Sequence, residues 1–134
     1  VINKSELEAI KEASVNLTEI EHRLLELVYL KTIAKGSEIS VLVAVRIEAV
    51  EYQLQFGCSL DVACNDLKKA TNRLFERAII FSQINANGNI ECIKSRWVGQ
   101  IAIEKTGSFA ELIFAPLIAR ASSTHILYKI PQTI

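Results

Sequence analysis

Residues 48–77 read EAVEYQLQFGCSLDVACNDLKKATNRLFER, and the fold turns on how this stretch divides. From Glu48 to Phe56 the apolar residues Val50, Tyr52, Leu54 and Phe56 keep helical spacing. Gly57-Cys58-Ser59 then interrupts, with Gly57 as a helix stop and Ser59 as an N-cap. A second helix is predicted from Leu60 to about Arg77. Its inward stripe is Ala63, Leu67, Ala70 and Leu74, and Asp61, Asn65, Lys68, Lys69 and Asn72 fall on the opposite side. Two helices joined by a short Gly-containing turn make a helix-turn-helix.

After Arg77 the period drops to two. Ala78 to Ile84 reads as a strand, Asn85 to Asn89 as a tight turn marked by Asn87-Gly88, and Ile90 to Ile103 as one further strand segment. Glu104 to Ser108 is another turn, Phe109 to Phe114 another strand, and Pro116 suits the first turn of a last helix. Tyr128 to Ile130 is expected to extend again. Helix-turn-helix followed by hairpin is the order of an α+β winged helix, and the long hairpin with its tip at Asn85 to Asn89 is the expected wing.

Upstream, Ser5 with Glu8 and Thr18 with Glu21 have capping-box spacing. They predict a short helix to about Ala13 and a longer one to about Ala34, stopped by Gly36. Ile20, Leu24, Leu27, Val28 and Lys31 mark the second helix's stripe, and Leu25 and Tyr29 widen its apolar face. Ile39 to Ile47, rich in Val and Ile, reads as a strand.

Composition narrows the function. The chain has 134 residues, the size of one domain, with no linker, repeat or low-complexity tract, so residues 1–134 read as a single unit. Half the residues are hydrophobic and the mean hydropathy is +0.25, which excludes a wholly disordered chain. Its longest uninterrupted apolar run, Val41 to Val45, is far short of the roughly 20 residues that span a bilayer. Three cysteines without paired spacing fit neither a disulfide framework nor a zinc site, and agree with a reducing, cytoplasmic setting. Methionine is absent even at position 1, as expected of a processed or cut chain.

Net charge is zero, which excludes a strongly basic nucleic-acid coat. The sum hides an asymmetry. Residues 1–57 carry 6 basic and 9 acidic side chains, and residues 58–134 carry 9 basic and 6 acidic. The basic part holds the second helix of the pair and the hairpin, a balance that suits weak contact with phosphates.

In that part Asn65 and Asn72 could bond base edges, while Lys68, Lys69 and Arg73 from the helix and Lys94 and Arg96 from the sheet could meet phosphates. A solvated helix face and the exposed side of a half-buried sheet account equally for these residues, and Asp61 and Asp66 weaken the helix's positive potential. The surplus of apolar residues suits a face buried against a second copy, at Leu25, Tyr29, Ile39, Val41, Val43 and Val45. His22 has acidic neighbours but no third convergent ligand, so no metal is expected. Ser122-Ser123-Thr124-His125 hints at hydroxyl–imidazole chemistry, but its members are contiguous. No nucleophile elbow, P-loop or dinucleotide fingerprint is present, so neither an enzyme nor a cofactor is expected.

Several segments resemble the N-terminal winged-helix domain of the iteron-binding plasmid replication initiators. Asn16-Leu17-Thr18 through Leu24-Leu25 is similar to the family's first long helix. Glu51-Tyr52 with Phe56-Gly57 is similar to its first helix-turn-helix element, and Leu67-Lys68-Lys69-Ala70 with Leu74-Phe75-Glu76-Arg77 to the helix that follows. Arg96-Trp97-Val98-Gly99-Gln100-Ile101-Ala102 and Glu111-Leu112-Ile113-Phe114-Ala115-Pro116 resemble the wing region and the strand entering the last helix. The stretch after Pro116 is a few residues shorter than is usual, and the family's second winged-helix domain, which usually does most of the sequence reading, is not expected within these 134 residues.

The resemblance implies a domain for phosphate contact and dimerisation. It implies that monomers bind plasmid iterons and start replication with host initiator and helicase proteins. It also implies that dimers bind an operator inverted repeat, repress the initiator's own gene and limit copy number. Two other readings stay open: a module for dimerisation only, and a winged-helix transcription regulator.

Overall fold

A computed structural model describes residues 2–36 and 38–122. The elements in chain order are α1 (Lys4–Val15), α2 (Glu19–Ala34), β1 (Val45–Glu48), α3 (Ala49–Phe56), α4 (Leu60–Glu76), β2 (Ala78–Ile84), β3 (Ile90–Arg96), β4 (Val98–Ile103), β5 (Phe109–Phe114) and α5 (Pro116–Ser122). The extended segment expected at Tyr128 to Ile130 and the hydroxyl–imidazole group around His125 lie outside the described residues.

Local chemistry accounts for the helix ends. α1 starts two residues earlier than the Ser5–Glu8 box predicts: the Glu6 N–H donates to Asn3 Oδ1 at 2.8 Å, and the Asn3 N–H donates back to Glu6 at 3.1 Å. Ile2 and Leu7 then occupy the two staple positions, and both pack against the core. At α2 the expected Thr18–Glu21 box forms. Gly57 ends α3 in the left-handed region at φ 66°, and the Val62 N–H donates to the Ser59 hydroxyl at 3.2 Å to open α4.

The predicted stripe of α4 is the centre of the core. Ala63, Leu67, Ala70 and Leu74 are fully buried, as are Leu24 and Val28 of α2, Tyr52 of α3 and Leu112 of β5. Two alanines in that stripe let α4 lie close to α2 and the sheet. Tyr52 also ties α3 to α4, its hydroxyl donating to Asp66 at 2.8 Å.

The strands form two sheets, β1-β5-β4 and β2-β3, both antiparallel. Two expectations change here. The segment from Ile39 to Ile47 is not one strand: residues 41–44 turn, and only Val45–Glu48 pairs, with Phe109–Leu112 of β5. Nor is Ile90 to Ile103 continuous. The chain leaves one sheet and enters the other at Trp97, which is fully buried and whose carbonyl accepts from the Ala115 N–H at 3.0 Å.

The wing therefore moves. The hairpin that completes the sheet beside the helix pair is β4–β5, turning through Glu104–Ser108. The β2–β3 ribbon, with its tip at Asn85 to Asn89, is a separate two-stranded arm that α1 packs against.

Candidate nucleic-acid interface

The outward side of α4 and the tip of the β4–β5 wing form one surface. Asn65, Lys69 and Asn72 are exposed on it, and Lys68 is half-buried at its edge. Lys68 extends beneath the wing turn, its ammonium donating to the Lys105 carbonyl at 3.2 Å. Gly107 makes that contact possible. Its φ is 86°, and a Cβ there would stand 2.6 Å from the Cys64 carbonyl and 2.9 Å from the Lys68 stem. Only glycine allows the turn to lie this close to the helix.

Glu104 shapes the turn itself. One of its carboxylate oxygens accepts from the Thr106 N–H at 2.9 Å, the Ser108 N–H at 3.2 Å and the Ser108 hydroxyl at 2.8 Å, as well as from the Thr106 hydroxyl. These donors, those of Thr106 first, hold its pKa down to about 2. The turn is thus a fixed scaffold that leaves the Lys105 side chain outward. Lys105 belongs with the site but is not among the residues expected from sequence, because the expected wing lies one hairpin earlier in the chain. The signal in the sequence is a basic residue beside Gly107 in the short Glu104–Ser108 turn.

The other expected contact residues are dispersed. Asn72 spends one amide hydrogen on the Lys68 carbonyl of its own helix, at 3.1 Å. Its second amide hydrogen and Oδ1 keep the donor–acceptor pair that reads adenine. Arg73 is exposed but turns away from the wing, bordering a cleft of about 430 Å³ shared with Asn16, Glu76 and Arg77. Lys94 and Arg96 project from the exposed face of the β2–β3 arm. Arg96 reaches α4, its guanidinium 5.4 Å from the Phe75 ring centre, so it flanks the interface opposite the wing tip, while Lys94 lies further out. Asp66, counted against the positive potential, is partly buried and accepts from Tyr52, which leaves Asp61 and Glu76 as the exposed acids of α4.

The expected self-association residues also divide. Leu25 and Ile39 are buried, so their apolar character is used within the domain, and Tyr29 and Val45 are half-buried. Val41 and Val43 are exposed, but on a turn, and between them Leu42 is 85% exposed. Expecting a strand hid this, since alternation would have turned Leu42 inward. The outward face of the arm adds Ile80, Ile84 and Ile90, all exposed.

A sequence model described as "Initiator Replication protein, WH1" matches residues 4–129. The chain belongs to this family. A comparison with curated proteins gave no match. Among solved structures, the chain is similar to the crystal structure of the WH1 domain of MSBI1.176, described as a replication protein isolated from a multiple sclerosis patient. The identity is 29%, 96% of each chain is covered, and the TM-score is 0.82. The α+β winged helix expected from the helix-turn-helix and hairpin order is therefore the fold of this initiator domain, and its place is in plasmid replication. Among the described residues no helix is long and apolar enough to cross a membrane.

Proposed function

We propose that this WH1 domain is a non-enzymatic, cytoplasmic module that holds plasmid DNA by its phosphates at origin iterons, and that it controls initiation by pairing with a second copy. The observation that supports DNA contact best is the Lys68–Lys105 bond, which fixes the wing tip against α4 and leaves Lys69 and Lys105 as outward cations on one surface. Monomers would engage iterons together with host initiator and helicase proteins. Dimers would occupy an operator inverted repeat and limit copy number.

The test is the salt dependence of binding to an iteron duplex. Each lysine that meets a phosphate contributes about one unit to the slope of log K against log salt. Binding insensitive to salt and to the Lys68→Ala, Lys69→Ala double change would remove the DNA role. A second reading, dimerisation alone, draws on the exposed apolar residues of the 41–44 turn and of the arm. Light scattering with and without iteron DNA separates the two, and a monomer at every concentration would remove the dimer. Binding to an inverted repeat without iteron binding would favour a transcription regulator.

A further inference from the structure

The cleft of about 430 Å³ beside Arg73 lies where four parts of the chain meet. They are the end of α1 (Ala13, Asn16), the end of α4 (Arg73, Glu76, Arg77), the first residue of β2 (Ala78) and Trp97, where the chain crosses between sheets. It shares no residue with the surface formed by Lys69 and Lys105. Trp97 closes the floor and is fully buried, yet among the described residues its indole N–H donates to no group. A buried indole ordinarily finds an acceptor. Ala13 and Ala78, with only a methyl group each, leave the space beside it open.

The charged side chains that line the cleft are Arg73, Glu76 and Arg77. Arg77 spends Nε and Nη2 on Glu21, which offsets its charge but leaves Nη1 without an acceptor among the described residues. Arg73 and Glu76, one helical turn apart, pair with nothing among the described residues, not even with each other. The Asn16 amide is also unbonded there, although the Asn16 backbone caps α1. Arg96, across the ladder from Ala78, is turned towards Phe75 instead. A simple anion such as phosphate would meet the Glu76 carboxylate, and a simple cation would meet Arg73. Side chains three residues apart on a helix stand on the order of 5–6 Å apart at Cβ. A small ligand with both charges a few bonds apart can therefore reach both, and an α-amino acid is that ligand.

We propose that this cleft binds a free α-amino acid as its zwitterion. The carboxylate accepts from Arg73 and from the Trp97 indole N–H. The ammonium donates to Glu76 and to the Asn16 side-chain oxygen, and the side chain lies against Ala13 and Ala78. A ligand held in this way ties the end of α4 to the base of the β2–β3 arm.

The test titrates the whole chain with free L-amino acids other than tryptophan and tyrosine. It reads the fluorescence of Trp97, the single tryptophan. At least one amino acid should give a saturable change with a Kd below about 1 mM. Acetylating the amine of that ligand, or amidating its carboxylate, should each weaken binding about tenfold. Arg73→Gln and Glu76→Gln should do the same, and in Glu76→Gln acetylation should cost no further affinity. Both positions are exposed, and circular dichroism checks that each variant folds. Three results would each overturn the proposal: no saturable change with any amino acid, inorganic phosphate or the acetylated ligand binding as tightly as the zwitterion, or full affinity in either variant. No DNA enters the measurement, so its outcome is separate from that of the DNA-binding test.

Discussion

Arg77, the first residue after α4, grips Glu21 in the first turn of α2 with two hydrogen bonds, Nε to Oε2 at 2.7 Å and Nη2 to Oε1 at 2.8 Å. Glu21 has no solvent exposure and also accepts from the Thr18 N–H and hydroxyl. Removing Arg77 leaves a buried charge without its partner. Arg77→Ala is expected to cost about 3 kcal/mol in urea unfolding. Arg77→Lys should recover only part of that, because an ammonium cannot match the two-pronged contact. In the double variant with Glu21→Gln the loss should be less than the sum of the two single losses.

Acid should weaken the fold in two stages. Burial alone would raise the pKa of Glu21, but its bonds with Arg77 and Thr18 outweigh this and hold it below the ordinary 4.5. Stability from Glu21 is therefore complete above pH 4.5 and is lost as the pH falls through the lower folded value. His22 fails earlier. It is buried, its Nδ1 has no hydrogen-bond partner, and burial lowers its pKa despite its hydrogen bond with the Ser14 backbone. Its neutral form is the one that fits, so stability should begin to fall as the pH drops below 6.5. Unfolding measured from pH 7 to pH 5 should show this decline, and His22→Gln should flatten it.

At the alkaline end Tyr52 sets the limit. Burial, together with its bond to Asp66, pushes its pKa up to about 12 even though Arg23 opposes the shift. The neutral phenol is thus favoured in the folded state. Its contribution is whole below pH 10 and is lost as the pH rises from there towards 12. Tyr52→Phe should cost about 2 kcal/mol at neutral pH and remove the Tyr52 contribution to this alkaline decline.

Gly107→Ala tests the seat of the wing. The substitution forces a side chain into left-handed backbone and drives a Cβ towards the Cys64 carbonyl. A loss of about 2 kcal/mol or more is expected by denaturant titration. If the wing tip belongs to the DNA surface, the same variant should also weaken binding to duplex DNA.

The two lysines of α4 should not behave alike. Lys69→Ala removes an exposed cation and should lower the salt slope of DNA binding by about one unit without changing stability. Lys68→Ala also breaks the bond to Lys105, so it should lower the thermal midpoint as well as the slope.

What could be read from sequence was whatever a local pattern encodes. The α4 stripe was legible because Ala63, Leu67, Ala70 and Leu74 recur at helical spacing and all four are buried. The Asn87-Gly88 turn was legible from its dipeptide, and it closes β2 onto β3 in the expected place. Two features were hidden for physical reasons. Val41-Leu42-Val43 has the composition of a buried strand but lies on a turn in solvent, and nothing local separates the two cases. The break at Trp97 interrupts a run of strand-forming residues, and it is set by the burial of one large ring against distant elements. Misplacing that break misplaced the wing, and with it Lys105.

The pairing of β1 with β5 has a consequence for how the protein is made. Val45 sits opposite Leu112, so everything from α3 to the wing turn is a loop closed by one short ladder. Closing so long a loop costs chain entropy before any contact returns it. On the ribosome the helix pair emerges well before the strand that locks it to the sheet. A nascent chain halted short of Phe109 would hold both helices of the motif but lack the frame that orients them.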